Sequence, residues 1–357
     1  MNHPEFKIGN RLIALHEPTY FIADIASNHG GDLRVAKQLI YDAAEAGANA
    51  AKFQHFRAET LVSKFAINTK EEKLAHQKSW GKSVFDTYRD VEVPLEWTQS
   101  LADTAKECGI DFFTAPYDLE IIDFIDQYVP AYKVGSGDIT WIESIQKMAS
   151  KNKPIIFATG ASDLVDVDRV IDSISDFNVS ICVMQCNTNY TGNENNTEFL
   201  NLNVIKSFSR KYPTLTLGLS DHTGGHLSVL GAISLGARVI EKHFASSVSP
   251  DNPDLHFSLN PAQWRKMVDD SLTLQCALGD GIKRVEYNEL ESQIAQRRAL
   301  RYRSSFAAGH LIRSEDLIPL RPAPSNSMAP YEKGLAIGKT LLTDVTEQQI
   351  VTLADFT

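Results

Sequence analysis

The chain has 357 residues, of which 43% are hydrophobic and 22% are charged, and its formal net charge at pH 7 is -10. That composition is typical of a globular protein, and the length accommodates an α/β barrel of about 250 residues with one small further domain. The negative charge argues against a nucleic acid partner, because the sequence has no basic stripe to replace phosphate counterions.

The sequence indicates neither export nor insertion into a membrane. The amino terminus, MNHPEFKIGNRL, lacks a basic start followed by an apolar core, and no apolar run approaches the ~20 residues that span a bilayer. The four cysteines are scattered, without zinc or redox spacing. Cys182 and Cys186 share one strand-like run, where we expect them to be small buried hydrophobic residues. We therefore expect a reduced, cytoplasmic enzyme.

From residue 20 onward, short apolar runs alternate with segments of helical periodicity. Asp32 is expected to cap the first helix, over 33–46, and Gly47 to end it. A long polar insertion, 57–93, follows the second strand and is expected on the catalytic face as a lid. Eight such strand and helix units predict a TIM (β/α)8 barrel. The predicted strands are 20–27, 50–56, 110–116, 131–137, 154–160, 179–187, 216–222 and 238–243.

The character of the sequence changes after the barrel. The eighth helix is predicted to begin at Asn260 and Pro261, a cap followed by a first-turn proline, and to end at Gly279. The polar segment 281–299 lacks a broad apolar face and is interpreted as a linker. Residues 300–357 show short strands and turns. The prediction is thus an α/β protein with a barrel at 1–280 and a small β-rich domain at its end.

Two histidines mark the ends of neighbouring predicted strands. His222 ends the seventh strand beside Asp221, and His243 ends the eighth, close to Glu241. In a barrel both lie at the carboxyl ends of strands, where barrel enzymes keep their chemistry. One such histidine is more often a hydrogen-bonded core residue. Two at equivalent positions favour half of a metal site, with the acidic neighbours holding the rings or completing the coordination.

Two lysines, Lys52 and Lys133, lie on predicted inner positions of the second and fourth strands. A buried lysine costs several kcal/mol unless it is paired, so both need an anion. A ligand with a phosphate and a carboxylate fits that need. The alternative is a structural ion cluster with protein carboxylates. The candidate carboxylates are Asp24, Asp138, Asp221 and Glu241.

Eight segments, in order, resemble the sialic acid synthases, or more broadly the nonulosonic acid synthases. They are IADIASNHGG, AKFQHFRAE, YKVGSGD, IIFATGAS, QCNTNY, GLSDHT, VIEKHF and PDNPDLHFSL. The end of the chain, with QRRALRYRSSFAAGHLIRSEDLIPLRP and IGKTL, is similar to the antifreeze-like (SAF) domain of such synthases. That domain is otherwise read as an independent carbohydrate- or ice-binding module.

The resemblance implies condensation of phosphoenolpyruvate with an N-acetylated hexosamine and water, giving a nonulosonic acid and phosphate. The acceptor would be N-acetylmannosamine or a 2,4-diacetamido-trideoxyhexose. It also implies a divalent cation, Mn²⁺ or Mg²⁺, held by His222 and His243, with Asp24 as a third catalytic residue. The implied phosphoenolpyruvate ligands are Lys52, Thr114, Lys133, Ser136, Thr188 and Ser220. The implied sugar ligands are Gln54, Asp138, Tyr190, Asp254 and Arg321.

Arg321, in the final domain, matches the family position that reaches the N-acyl group in a neighbouring subunit. The resemblance therefore implies a domain-swapped homodimer, whereas the residues alone favour a surface arginine paired with Glu332. Many relatives carry glutamate at the positions of Asp24 and Asp138, and serine at that of Ala158. Two other functions stay open: a synthase acting on a phosphorylated aldose, and a non-catalytic carbohydrate-binding protein.

Overall fold

Eight parallel strands form the centre of the first of two units, 1–279 and 280–357, into which the chain divides. The computed structural model describes residues 4–63, 77, 81–190, 196–250, 252 and 254–356. The strands lie in the order 3-2-1-8-7-6-5-4, so the first and last are neighbours, and strands three and four contact each other. The predicted (β/α)8 barrel is confirmed. Its strands are β1 (Tyr20–Asp24), β2 (Ala50–His55), β3 (Asp111–Pro116), β4 (Tyr132–Val134), β5 (Ile155–Ala158), β6 (Ile181–Cys186), β7 (Thr216–Asp221) and β8 (Val239–His243).

One principal helix follows each strand, and local capping explains where several of them begin. The Asp32 side chain accepts a hydrogen bond from the amide of Arg34 at the start of the first helix. Asn260 forms a capping box with Gln263, ahead of Pro261 in the first turn of the eighth. The helices are α1 (Leu33–Glu45), α2 (Thr98–Glu107), α3 (Leu119–Ile125), α4 (Ile142–Ala149), α5 (Leu164–Ser173), α6 (Asn203–Lys211), α7 (Leu227–Ser234) and α8 (Pro261–Leu278).

The barrel interior is apolar at one end and polar at the other. Cys182 and Met184 of β6 belong to the inner apolar cluster, together with Ile8 and Ile13 from an amino-terminal hairpin. Cys186 belongs to it as well, so the prediction of two small buried cysteines in this strand is confirmed. Because the apolar residues fill the amino-terminal ends of the strands, polar groups are left to converge at the carboxyl ends.

The lid prediction falls partly outside the described residues. Within the insertion 57–93, the structure describes two short helices, Ala58–Leu61 and Val84–Asp90, whereas 64–76 and 78–80 lie outside the described residues. Predicted strands were generally too long at their carboxyl ends. The fourth, for example, ends at Val134, because Ser136–Asp138 already form a 3-10 turn. These loop residues are the ones that reach the site.

The second unit has its own small core. Strands β9 (Ala299–Tyr302) and β10 (Leu317–Leu320) pair in antiparallel register, and Leu300 and Tyr302 lie in its apolar cluster. The segment predicted as a linker is not wholly irregular, since it contains the helix α9 (Leu290–Gln296). The antifreeze-like identity of this unit stays a prediction. No helix among the described residues is long and apolar enough to cross a membrane.

A fully buried ion pair fastens β7 to β8 on the outer side of the barrel. Lys242 Nζ lies 2.7 Å from Asp221 Oδ2 and donates to the Thr223 carbonyl at 2.5 Å. Asp221 also accepts hydrogen bonds from the amide and hydroxyl of Thr223 and from Ser228. Burial alone would raise the pKa of Asp221, but Lys242 and these donors lower it overall. Asp221 is therefore turned away from His222 and does not hold its ring, contrary to the sequence-based expectation.

Replacing Lys242 by Met should lower the free energy of unfolding by about 3–5 kcal/mol, because Asp221 is then a buried charge without its partner. The double variant Asp221→Leu, Lys242→Met removes both charges and should recover most of that loss. Urea unfolding provides the measurement. Lys266→Met is the matched control, since Lys266 pairs with Asp270 on the surface, where a pair contributes about 0–1 kcal/mol. Equal losses in Lys242→Met and Lys266→Met would contradict this account.

Candidate active site

A cavity of about 480 Å³ opens at the carboxyl ends of the barrel strands. Twelve of the fourteen residues predicted from the sequence line it: Asp24, Lys52, Gln54, Lys133, Ser136, Asp138, Thr188, Tyr190, Ser220, His222, His243 and Asp254. They come from strands β1, β2, β4, β7 and β8 and from the loops that follow the strands. The fold thus brings together residues that are up to 230 positions apart in the sequence, from Asp24 to Asp254.

Four charged side chains form one buried ion cluster at the base of this cavity. Lys52 Nζ lies 2.7 Å from Asp24 Oδ2 and 2.9 Å from Glu241 Oε2. Lys133 Nζ lies 3.3 Å from Glu241 Oε1, which also accepts a hydrogen bond from Ser220 at 2.9 Å. In the chain itself the two lysines therefore form the structural ion cluster that the sequence left as an alternative. Because both also line the cavity, they remain within reach of a bound anion.

Burial and pairing act in opposite directions on these groups. Burial alone would lower the pKa of Lys52, but the Asp24 and Glu241 carboxylates raise it overall. Burial lowers the pKa of Lys133, and Glu241 offsets only part of that shift. Burial alone would raise the pKa of Glu241, but Lys133 and Lys52 lower it far below the usual range. Glu241 is therefore the shared anion that holds both ammonium groups in place.

His222 and His243 are neighbours, as predicted, with ring centroids 5.3 Å apart. His222 Nδ1 lies 3.0 Å from the Asn187 carbonyl, which requires a proton on Nδ1 and leaves Nε2 to face a ligand. His243 Nε2 lies 3.6 Å from Asp24 Oδ2, and its Nδ1 is buried without a hydrogen-bond partner among the described residues. Phe257 packs edge-on against both rings. Burial lowers the pKa of His243, so a neutral ring with a free lone pair is favoured there.

This pair is a suitable but incomplete donor set for a cation. Within the described part of the chain, no group of three or more His, Cys, Asp or Glu side chains forms a metal site. The protein offers the two imidazoles as metal ligands, and the Nδ1 atom of His243 has no other partner among the described residues. Water and substrate would supply the other ligands. Imidazole donors are typical of transition-metal sites, whereas Mg²⁺ prefers oxygen ligands.

A hydrogen-bond network holds Asp254 at the mouth of the cavity. Ser27 donates to Asp254 Oδ2 from its amide at 3.0 Å and from its hydroxyl at 2.5 Å. Asn28 Nδ2 donates to the Phe244 carbonyl, and Asn252 Nδ2 donates to Asn28 Oδ1. The loop after β1 therefore fixes the loop after β8, which places the Asp254 carboxylate against the cavity.

Thr188 reaches the cavity because Gly160 gives it room. A Cβ atom on Gly160 would lie 1.6 Å from Thr188 Oγ1 and 2.9 Å from Ser136 Oγ. Ser136 Oγ in turn accepts a hydrogen bond from the Gly160 amide at 3.0 Å. The loops after β4, β5 and β6 are thus packed against one another, with two hydroxyl groups facing the same space.

The structure contradicts the placement of Thr114 in the site. Its hydroxyl lies 2.7 Å from His55 Nδ1, and His55 Nε2 lies 2.8 Å from the hydroxyl of Thr98 in α2. Successive side chains of a strand face opposite sides, so Thr114 faces the helices while Phe113 and Ala115 face the interior. Thr114 is therefore not among the residues that line the cavity.

Arg321 belongs to the second unit and is described with it. Its Nε donates to the Gln296 carbonyl at 2.7 Å. The alternative partner, Glu332, accepts instead from the Ala329 amide, and no ion pair between Arg321 and Glu332 is found among the described residues. The predicted role in a partner subunit stays a prediction.

Sequence reasoning missed several residues that line the cavity, most of them apolar or aromatic. Phe56, Leu61, Tyr88 and Val91 come from the end of β2 and the insertion, and Tyr117 follows β3. Motif matching found polar groups at strand ends but gave no signal for these residues. Phe56 is the last residue of the predicted second strand and Tyr117 directly follows the predicted third, so their positions at strand ends are the signal that could have found them.

Asp138 is a half-buried carboxylate at the cavity wall, and it has no cation beside it among the described residues. Burial raises its pKa to about 6. Asp138 can therefore both accept and donate hydrogen bonds near neutral pH.

Comparison with known proteins shows which family and which solved structures the chain is similar to. Residues 39–283 match the profile of the NeuB family. The chain is 35% identical to N,N'-diacetyllegionaminic acid synthase of Legionella pneumophila, over 90% of each protein. It is 32% identical to the protein of the same name in Campylobacter jejuni, over 93% of this chain and 98% of that protein. The crystal structure of N-acetylneuraminic acid (sialic acid) synthetase from Leptospira borgpetersenii in complex with citrate superposes with a TM-score of 0.70 at 26% identity, covering 81% of this chain and 95% of that chain.

Replacing Asp138 by Asn should raise the free energy of unfolding at about pH 8 by about 1–3 kcal/mol, because no ionised carboxylate is then buried. The unfolded aspartate loses its proton near pH 4, whereas the folded one keeps it up to about pH 6. The wild-type protein therefore loses this stability as the pH rises from about 4 to about 6, and the advantage of the variant should vanish at about pH 4. Urea unfolding at both pH values tests this, with the exposed Asp176→Asn as control. A stability difference that does not depend on pH would contradict it.

Proposed function

The chain belongs to the NeuB family, and from that membership and the geometry of the cavity we propose that it condenses phosphoenolpyruvate with an N-acetylated hexosamine. Water is the third reactant, and the products are a nonulosonic acid and inorganic phosphate. The observation that carries the proposal is the convergence of two imidazoles and two lysines in one cavity of a NeuB-type barrel. Glu241 pairs with both lysines, and Asp24 pairs with Lys52. The enzyme is thus a phosphoenolpyruvate-dependent transferase.

Phosphoenolpyruvate binding is assigned to the base of the cavity. Lys52 and Lys133 supply positive charge in a site where water is largely excluded, and there such charge acts strongly on an anion. The hydroxyl groups of Ser136, Thr188 and Ser220 add hydrogen bonds. Thr114 is withdrawn from this group because it faces the helices. As the phosphate departs by cleavage of its bond to carbon, negative charge collects on its oxygens, and the two ammonium groups stabilise that charge.

The acceptor is assigned to the wider part of the cavity. Gln54, Asp138, Tyr190 and Asp254 offer the amide, carboxylate and hydroxyl groups that sugar hydroxyls require. Carbon 3 of phosphoenolpyruvate forms the new bond to the aldehyde carbon, and water adds to carbon 2. Asp24 lies 2.7 Å from Lys52 Nζ and 3.6 Å from His243 Nε2, a position from which its carboxylate can hold the proton that the water gives up.

His222 and His243 are the residues that would hold a divalent cation, Mn²⁺ before Mg²⁺. When bound, such a cation supplies Lewis acidity toward the aldehyde oxygen. The chain itself prepares the pair: the Asn187 carbonyl fixes the tautomer of His222, and burial keeps His243 neutral.

A cytoplasmic homodimer, in which Arg321 of the final domain reaches the acceptor of the partner's barrel, belongs to the proposal. The family resemblance at Arg321 supports the homodimer, and four cysteines that are free thiols, as in a reducing compartment, support the cytoplasm. Sedimentation of the full chain, with Arg321→Ala assayed beside it, tests the dimer and the arginine separately.

The purified chain should release phosphate from phosphoenolpyruvate when Mn²⁺ and a suitable acceptor are present together. N-acetylmannosamine and 2,4-diacetamido-2,4,6-trideoxyhexoses are the acceptors to compare. A phosphorylated aldose serves as the competing substrate, since its turnover would favour the alternative synthase. Absence of phosphate release with all of these acceptors would exclude the proposed reaction.

Replacing His243 by Ala should weaken Mn²⁺ binding by more than about 100-fold, because loss of a mere second-shell partner already costs about 10–100-fold. Turnover should be lost at the same time. Electron paramagnetic resonance of Mn²⁺ titrations gives the affinity without any assay of activity. The exposed His16, which pairs with Glu17 at the surface, provides the control variant His16→Ala. Unchanged Mn²⁺ affinity in His243→Ala would remove His243 from the proposed metal site, and retained sugar affinity without any catalysis in the wild-type protein would favour a binding protein.

A further inference from the structure

Tyr117 is a cavity residue to which the reaction described above gives no task. It directly follows β3, and its ring packs edge-on against Phe56 with centroids 6.1 Å apart. Phe56 in turn packs against Tyr88 at 5.5 Å. These three rings form an aromatic wall on one side of the cavity. Within the described part of the chain, the Tyr117 hydroxyl has no hydrogen-bond partner.

A glycine that directly follows β4 leaves space for this hydroxyl. A Cβ atom on Gly135 would lie 2.9 Å from Tyr117 Oη, and the ring carbon that bears the hydroxyl would lie 3.7 Å away. The backbone at Gly135 is extended, with φ -69 and ψ 153, which any residue can adopt. The glycine is therefore not needed for the course of the chain, and what it provides is room for one oxygen atom.

The surroundings of Tyr117 keep its hydroxyl protonated. Burial raises its pKa well above the usual range, and the nearby carboxylates of Asp138, Asp24 and Glu241 raise it further. A neutral phenol can donate its proton to an oxygen atom of a ligand. Asp24 and Glu241 are paired with the two lysines, whereas Asp138 has no cation beside it among the described residues and disfavours an anion next to the hydroxyl.

An uncharged sugar fits this wall better than an anion does. Aromatic faces pack against the C–H groups of a sugar ring and against the methyl of an acetamido group. The Tyr117 hydroxyl, which lines the cavity, can then donate to an oxygen acceptor of the ligand, such as the carbonyl of an acetamido group or a sugar hydroxyl.

We propose that Tyr117 determines acceptor specificity, by donating a hydrogen bond from Oη to an oxygen of the N-acetylated sugar while Phe56 and Tyr88 pack against its apolar parts. This inference rests on the proposed condensation and adds a residue to it. Gly135 contributes because it has no side chain, which leaves room for the Tyr117 hydroxyl at its observed position.

Tyr117→Phe removes one oxygen atom and keeps the ring. The KM for the N-acetylated acceptor should rise by about threefold to tenfold, the effect expected for one neutral hydrogen bond. The KM for phosphoenolpyruvate and the affinity for Mn²⁺ should stay unchanged. Tyr132→Phe is the control, since the Tyr132 hydroxyl bonds to Asp126 away from the cavity and should affect stability without changing the acceptor KM.

Gly135→Ala gives a second test that does not depend on the first variant alone. In the wild-type background the new methyl displaces the hydroxyl, so the acceptor KM should rise at least as much as in Tyr117→Phe. In the Tyr117→Phe background the displaced atom is absent, and Gly135→Ala should change the acceptor KM by less than about twofold, because the two sites act as one unit.

The possible results separate two kinds of failure. If the wild-type protein releases phosphate but Tyr117→Phe leaves the acceptor KM unchanged, or if the two substitutions have multiplicative effects, the role of Tyr117 is wrong and the proposed reaction stands. If phosphoenolpyruvate KM rises as much as acceptor KM, Tyr117 is a general structural residue of the site. If the wild-type protein turns over none of the acceptors, the proposed function itself fails and this inference with it.

Discussion

The site depends on Glu241, a carboxylate buried between two lysines at the base of a barrel. Its two oxygens lie 2.9 Å from Lys52 Nζ and 3.3 Å from Lys133 Nζ. Removing ionic groups from water costs several kcal/mol for each ion, and only close pairing with further hydrogen bonds offsets that cost. The Ser220 hydroxyl and the Asp24 carboxylate supply the remaining partners. The cluster carries two positive and two negative charges, so it is stable without a ligand, and the cations still border the open cavity.

The barrel makes this cluster possible through the alternation of its strands. Lys52 and Gln54 of β2 face the cavity, whereas Phe53 belongs to the core under the helices and His55 bonds to α2. On β8 the same rule sends Glu241 and His243 inward and Lys242 outward. The outward ion pair joins β7 to β8, and the inward ion cluster includes Glu241 of β8, so the two meet on β8 at neighbouring positions separated by one side-chain alternation. The outer pair of Asp221 and Lys242 fastens the strand ends that carry the two imidazoles.

The same alternation explains what the sequence could and could not predict. Eight repeated strand and helix patterns were sufficient for the barrel, whereas the twelve site residues came from polar residues at strand ends together with the family resemblance. Thr114 failed because a residue type near the end of a predicted strand does not show the face on which its side chain lies, and a shift of one position turns a side chain from the cavity to the helices. Tyr117 and Phe56 were missed for a related reason, since aromatic residues just beyond a strand look like ordinary core. The partners of the lysines also required coordinates, because four carboxylates were equally available in the sequence.

The aspartate at position 24 has a geometric consequence for the chemistry. A glutamate there would extend the carboxylate by one methylene, about 1.5 Å of bond length, and it would have to crowd either Lys52 or His243. With aspartate, the carboxylate pairs closely with Lys52 at 2.7 Å and stays 3.6 Å from His243 Nε2, beyond the range of a good hydrogen bond. The His243 imidazole is therefore free to direct a lone pair toward a cation. The Asp24 carboxylate stays close enough to contact the same part of the cavity through one bridging water molecule. Because Lys52 anchors Asp24, this division of roles depends on the ion cluster and not on His243.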